Sequence, residues 1–167
     1  SKISKLCISC EPIYAEYKVL TKIISKNVIL FNYALSSKNA KKFLNIPITN
    51  KIHEFPRASI EKKFKKQKRI KIITKKFDDL KKKFFNQKRV DFVKIDVEGH
   101  EKQVVLGMNK TINIHRPILL IEIEKRHNSN YLWLFKYLKQ LDYNCFYTDD
   151  GTKLKKFKMS LFKKLQD

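Results

Sequence analysis

Carboxylates recur at three places where an apolar run gives way to a turn: Glu11, Asp96 with Glu98, and Glu122 with Glu124. Gly99 and His100 follow the second of these. Carboxylates and an imidazole gathered at one rim can accept hydrogen bonds from ligand hydroxyls, or take the proton from one. Each group also has a plainer role open to it. Glu11 suits a ribose-binding carboxylate or a helix N-cap. Asp96 suits a ligand contact or a general base. Otherwise it caps the following helix while Lys94 snorkels over the sheet. His100 falls at a helix start, where the dipole keeps a neutral imidazole available, or it is an ordinary first-turn residue. Glu122 and Glu124 share a strand face with Glu122 deeper, and a carboxylate there needs a partner or a ligand.

The elements that must position these groups can be read from periodicity. Val90 to Val97 is a short run rich in β-branched residues, the signature of a buried strand. It puts Phe92, Lys94 and Asp96 on one face and Val93, Ile95 and Val97 on the other, so Lys94 and Asp96 can pair. Val105, Met108 and Ile112 then predict a helix running to about Asn113. Upstream, Leu6 to Cys10 read as a strand, and Ile13, Tyr17, Leu20 and Ile24 as one face of a helix with Pro12 in its first turn. Val28 to Leu35 read as a second strand, parallel to the first. Ser36 to Ala40 are a turn, Lys41 to Pro47 a short extended segment, and Thr49 to Ser59 loop. Ile70 to Thr74 suggest another short strand. Phe77, Leu80 and Phe84 mark a helix with Asp78 and Asp79 in its first turn. Ile118 to Ile123 form an apolar strand suited to a sheet interior. A loop at 127–130 leads to a helix presenting Tyr131, Leu134, Phe135, Leu138 and Leu141. Tyr143 to Tyr147 and Leu154 to Phe157 close the chain as a hairpin around Asp149-Asp150-Gly151. The alternation of strand and helix is α/β.

At 167 residues this is one domain with room for a core. The hydrophobic content of 43% argues against disorder despite a formal net charge of +22. That charge suits a nucleic-acid or anionic-surface binder, or simply reflects codon bias, since Lys, Ile, Asn and Phe are frequent while Gly and Pro are scarce. The five arginines, the residues favoured for base readout, do not cluster. Specific nucleic-acid recognition is not expected. Glu61 to Arg69 is a lysine-rich run that fits a polyanion patch or a solvated loop or hairpin. Cys7 and Cys10 are spaced C-x-x-C without a second pair to complete a zinc site, so buried structural thiols are expected. Three cysteines give no disulfide framework, which suits the cytoplasm. No apolar run reaches the ~20 residues of a membrane span. A signal peptide is not expected, and the sequence shows no phosphate loop or metal-ligand set.

The block D-F-V-K-I-D-V-E-G-H-E, followed after a helix by R-P-I-L-L-I-E-I-E, resembles the FkbM family of S-adenosylmethionine-dependent methyltransferases. C-E-P at Cys10 to Pro12 is similar to the family's F-E-P turn. Asn27 to Ser36 resembles the strand leading to the adenine, and F-D-D-L at Phe77 to Leu80 an element before the next strand. These blocks come in the family's order and cover almost the whole chain.

The resemblance implies a Rossmann-like class I sheet with helices on both faces and a C-terminal antiparallel hairpin. It implies S-adenosyl-L-methionine as cofactor and O-methylation of a hydroxyl on a small-molecule or glycan acceptor. Glu11 would hold the ribose, Ala34 and Leu35 would line the adenine, and Asp96, Glu98, Gly99, His100 and Glu122 would form the rim facing the methionine end and the acceptor. The family's first strand and its glycine-rich turn should precede Ser1, between this chain's first strand and its Val90 strand. Residues 1–167 therefore read as a partial catalytic domain whose two flanking strand edges lack partners. The rival readings are a basic binding module and an inactive remnant.

Overall fold

A computed structural model describes residues 4–49, 52–123, 131–148 and 152–158. Strand β1 (Cys7–Cys10) leads through helix α1 (Tyr14–Leu20) to β2 (Val28–Phe31), and the two strands pair in parallel from Cys7↔Val28 to Cys10↔Phe31. The same plan recurs later. Strand β7 (Phe92–Ile95) passes through helices α3 (Glu101–Gly107) and α4 (Asn109–His115) to β8 (Ile118–Ile121), again parallel, from Phe92↔Ile118 to Ile95↔Ile121. Parallel strands need such crossovers because a hairpin cannot connect them.

Between these units the chain makes a mainly antiparallel excursion. Strands β3 (Ala34–Leu35), β4 (Ala40–Thr49), β5 (Ile52–His53) and β6 (Gln67–Lys75) form a four-stranded sheet in the order β3-β6-β4-β5. The β4–β6 ribbon is its body, paired from Ala40↔Thr74 to Pro47↔Gln67. A 3-10 turn at Phe55–Arg57 lies in the connection. Helix α2 (Phe77–Phe84) follows the ribbon. Helix α5 (Tyr131–Gln140) and the short antiparallel pair β9 (Phe146–Tyr147) and β10 (Lys155–Lys156) complete the described chain. The turn expected at 149–151 and the loop at 127–130 lie outside the described residues. So does the side chain of Tyr131.

The larger core gathers Phe77, Ile95, Val104, Val105, Met108, Ile112 and Leu134, with Val93, Val97, Leu119 and Ile121 packed against it. It lies between β7–β8 and helices α3, α4 and α5. Burying each such side chain stabilises by about 1.5–3 kcal/mol. Asp78 of α2 ties the helices together. Its carboxylate accepts the backbone N–H groups of Lys110 and Thr111 and the Thr111 hydroxyl, satisfying donors that open α4. A smaller core of Ile13, Ala34, Leu44 and Ile72 sits under the inner face of the ribbon.

Several expectations change. The chain forms an α/β structure, but its described strands form four separate sheets rather than one. Among the described residues, helices cover one face of β7–β8, not both. Ile118 and Leu120 on the other face are 70% and 53% exposed, so the strand expected in a sheet interior is open on one side. Val28 to Leu35 is two strands. Asn32 breaks it by donating to the carbonyls of Glu11 and Pro12, after which Ala34–Leu35 turn away to pair with Thr74–Lys75. The short extended segment is ten residues long, because it finds β6 as a partner. The helix expected to reach Asn113 breaks at Met108, where Asp78 caps a new helix and Gly107 lies against the Ser36 carbonyl.

Candidate functional site

The parallel register brings Asp96 and Glu122 out side by side at the carboxyl ends of β7 and β8, with the Glu122 N–H donating to the Ile95 carbonyl at 3.0 Å. Glu124 lies outside the described residues. Lys94 reaches Asp96 Oδ2 at 2.7 Å. The hydrogen bond and charge of Asp96, with Glu122 adding to them, hold the Lys94 ammonium above its ordinary pKa. The pair anticipated from strand alternation is therefore formed, on the open face of the sheet.

Beyond Asp96 the chain turns sharply. The Gly99 N–H donates to the Val97 carbonyl at 2.8 Å and to Glu101 Oε1 at 3.0 Å. Gly99 has φ 82°, a left-handed backbone that glycine adopts without steric cost. Glu101, 2% exposed at the start of α3, thus holds the turn from inside the core. From outside, Ser59 donates its hydroxyl to the Glu98 carbonyl at 2.6 Å while accepting the N–H groups of Glu61 and Lys62. The connection between β5 and β6 is pinned over the acid turn.

His100 joins three segments. It is 3% exposed, with Nδ1 2.6 Å from Glu61 Oε1 and Nε2 3.0 Å from the hydroxyl of buried Ser36. An ionised carboxylate only accepts. Nδ1 therefore carries the proton, and Nε2 receives the Ser36 O–H. Burial pushes the imidazole below the ordinary histidine pKa, against the opposing pull of Glu61. His100 is held neutral, as its place at a helix start suggested, but burial does most of this. Ser36 is 1% exposed, so the imidazole and the serine hydroxyl are shielded from bulk solvent, while the Glu61 side chain is open to it.

Glu11 lies at the end of β1, in the other parallel pair. One oxygen accepts the Ile13 N–H at 2.7 Å, and burial raises its pKa above the usual carboxylate value. Beside it opens a cavity of about 330 Å³, lined by Pro12, Ile13, Asn32, Phe55, Ile72 and Lys68 among others. Ala34 is buried with Ile13 in the smaller core, and Leu35 packs against the larger one. Asn32 and Ile13, rather than Ala34 and Leu35, line this cavity. The thiols of Cys7 and Cys10 are free and half-buried on opposite faces of β1, and burial pushes Cys10 up to about 12.

Ser36, Ser59, Glu61, Glu101 and Asn32 were not singled out by sequence reasoning. Glu101 carried one signal, as a carboxylate directly after the Gly-His turn. The others act through contacts between distant segments, and a single sequence holds no mark of these.

No curated protein and no solved structure was found to match the chain. The family model described as Methyltransferase FkbM domain matches residues 2–145, spanning both parallel units, the ribbon and the acid turn. The chain belongs to the FkbM methyltransferase family.

Proposed function

We propose that this chain is the catalytic part of an S-adenosylmethionine-dependent methyltransferase that acts on a hydroxyl of a small-molecule or glycan acceptor. The observation that carries this is the pair of carboxylates, Asp96 and Glu122, set side by side at the carboxyl ends of adjacent parallel strands in a chain of this family. Ligands of parallel α/β sheets bind outside those strand ends. The two parallel pairs are read as parts of one Rossmann-like sheet.

The residues around Glu11 fit the adenosine end of the cofactor. One Glu11 oxygen is held by the Ile13 N–H, which leaves the second for a ribose hydroxyl, and the cavity beside it has an apolar floor. When bound, S-adenosylmethionine supplies an electrophilic methyl group. The chain's own work is to orient the acceptor hydroxyl and receive its proton. Asp96 is the proposed proton acceptor, with Lys94 tempering its charge and Glu122 beside it. Glu98, Gly99 and His100 shape the turn. The neutral His100 keeps Glu61 and Ser36 fixed to it.

Calorimetric titration with S-adenosylmethionine tests the reading. Glu11→Ala is expected to weaken binding about 10- to 100-fold, the loss of a hydrogen bond to a charged group. Wild-type affinity is expected to fall as pH drops through the raised Glu11 pKa, because only the ionised carboxylate accepts two hydroxyls. An unchanged dissociation constant in Glu11→Ala would remove Glu11 from the ribose role. Turnover unaffected by Asp96→Asn would remove Asp96 from proton transfer.

A further inference from the structure

The positive charge is not spread evenly. Residues 40–75 hold 12 of the 38 Lys and Arg but only two of the 16 Asp and Glu, Glu54 and Glu61. Both of those acids are engaged, Glu54 with Arg57 and Glu61 with His100. In the β4–β6 ribbon, residues opposite one another share a face. The inner face carries Leu44, Ile70 and Ile72 toward the smaller core, with Ile46 buried on the same face. The outer face presents Lys41, Phe43, Arg69, Lys71 and Ile73, all exposed, with Phe43 and Ile73 at 42% and 41%. Exposed Lys63, Lys65 and Lys66 continue it along the connection that the Asn45 side chain anchors to the ribbon. Among the described residues, none of these cations has an ion-pair partner.

We propose that this outer face, with Lys63, Lys65 and Lys66, docks on an anionic lipid surface. A basic strip with apolar side chains set between the charges matches the headgroup boundary, which takes both. Single-stranded nucleic acid fits less well. Phe43, the one aromatic ring among these ribbon residues, carries the Arg69 guanidinium 4.3 Å from its centroid, so one of its two π-faces is already taken. Lysine, the dominant cation, is a point charge suited to lipid phosphates rather than to base edges. Docking there would also bring the acid turn near the surface, since Ser59 and Glu61 tie the same connection to Glu98 and His100.

Vesicle co-sedimentation tests this with phosphatidylcholine alone and with an equimolar mixture with phosphatidylglycerol. Binding is expected only to the mixture, weakening with salt. Arg69→Gln with Lys71→Gln is expected to lower partitioning about 25-fold, from about fivefold per cation. Lys63→Gln with Lys65→Gln, in the loop, should act similarly and stands in if the strand variant fails to fold. Phe43→Ser should weaken the binding that survives at high salt. Lys136→Gln with Lys139→Gln on α5, with the same change of charge, should have little effect. The proposal is overturned if the α5 pair loses as much as the ribbon pair, or if neutral vesicles bind equally. It is also overturned if polyuridylate binds as tightly with the same dependence on Arg69 and Lys71, which would assign the face to nucleic acid.

Discussion

The β7–β8 unit and the β4–β6 ribbon lie on either side of the acid turn and are built on opposite rules. The first is short, parallel and local, with each strand followed closely by helices that bury its inner face in the larger core. The second is long and antiparallel, made of two strands separated by a connection of 17 residues, numbers 50–66, and backed by a small core. The first carries carboxylates to a rim, and the second carries lysines to a surface. They meet where Ser59 and Glu61 reach Glu98 and His100. The difference suggests that the parallel unit builds the site while the ribbon holds it in place and charges its surroundings.

Damage to the parallel unit is therefore expected to cost more than equivalent damage to the ribbon. Ile112→Ala, at a position 0% exposed in the larger core, is expected to lose about 4 kcal/mol in denaturant unfolding. Gly107→Ala should lose about 3 kcal/mol, because a Cβ there would lie 2.0 Å from the Ser36 carbonyl oxygen and must push backbone aside. Ile72→Ala in the ribbon core is expected to lose about 2 kcal/mol, since a small cluster collapses more readily around a void. Equal losses for Ile112→Ala and Ile72→Ala would remove the distinction drawn between the two cores. Ser59→Ala, which breaks the pin over Glu98, should cost about 1–2 kcal/mol.

The smallest effect concerns pH. Burial holds the folded-state pKa of His100 below its unfolded value, so the unfolded chain protonates first as pH falls. Stability from this residue is present above the ordinary histidine pKa of about 6.5 and is lost as pH drops from there through the lowered value. Glu61 opposes this by favouring the imidazolium. Glu61→Gln is therefore expected to move the His100 titration still lower, as followed by NMR of its ring protons. A move upward would show that Glu61 does not favour the imidazolium.

The Lys94–Asp96 pair of the candidate site was readable in the sequence because strand alternation is local. Phe92, Lys94 and Asp96 share a face simply because side chains alternate, and the Lys94–Asp96 pair follows from that. The partners of His100 were not readable, because Ser36 and Glu61 lie 64 and 39 residues away. The ribbon was underestimated for the same reason. Lys41 to Pro47 shows little period until β6 is known to lie beside it.

By itself the sequence determined the α/β class, the strand–turn–helix at Asp96 to Glu101 and the resemblance to FkbM methyltransferases, all of which rest on residues close together in the chain. Tertiary structure alone decided that the described strands separate into four sheets, that among the described residues one face of β8 stays open, that His100 is buried between a serine and a glutamate, and that Lys41, Arg69 and Lys71 share one exposed face of a single ribbon. The physical reason is that hydrophobic period fixes which side of an element is buried. What that side meets depends on pairings between distant segments, whose free energy comes from contacts and burial that no local pattern records.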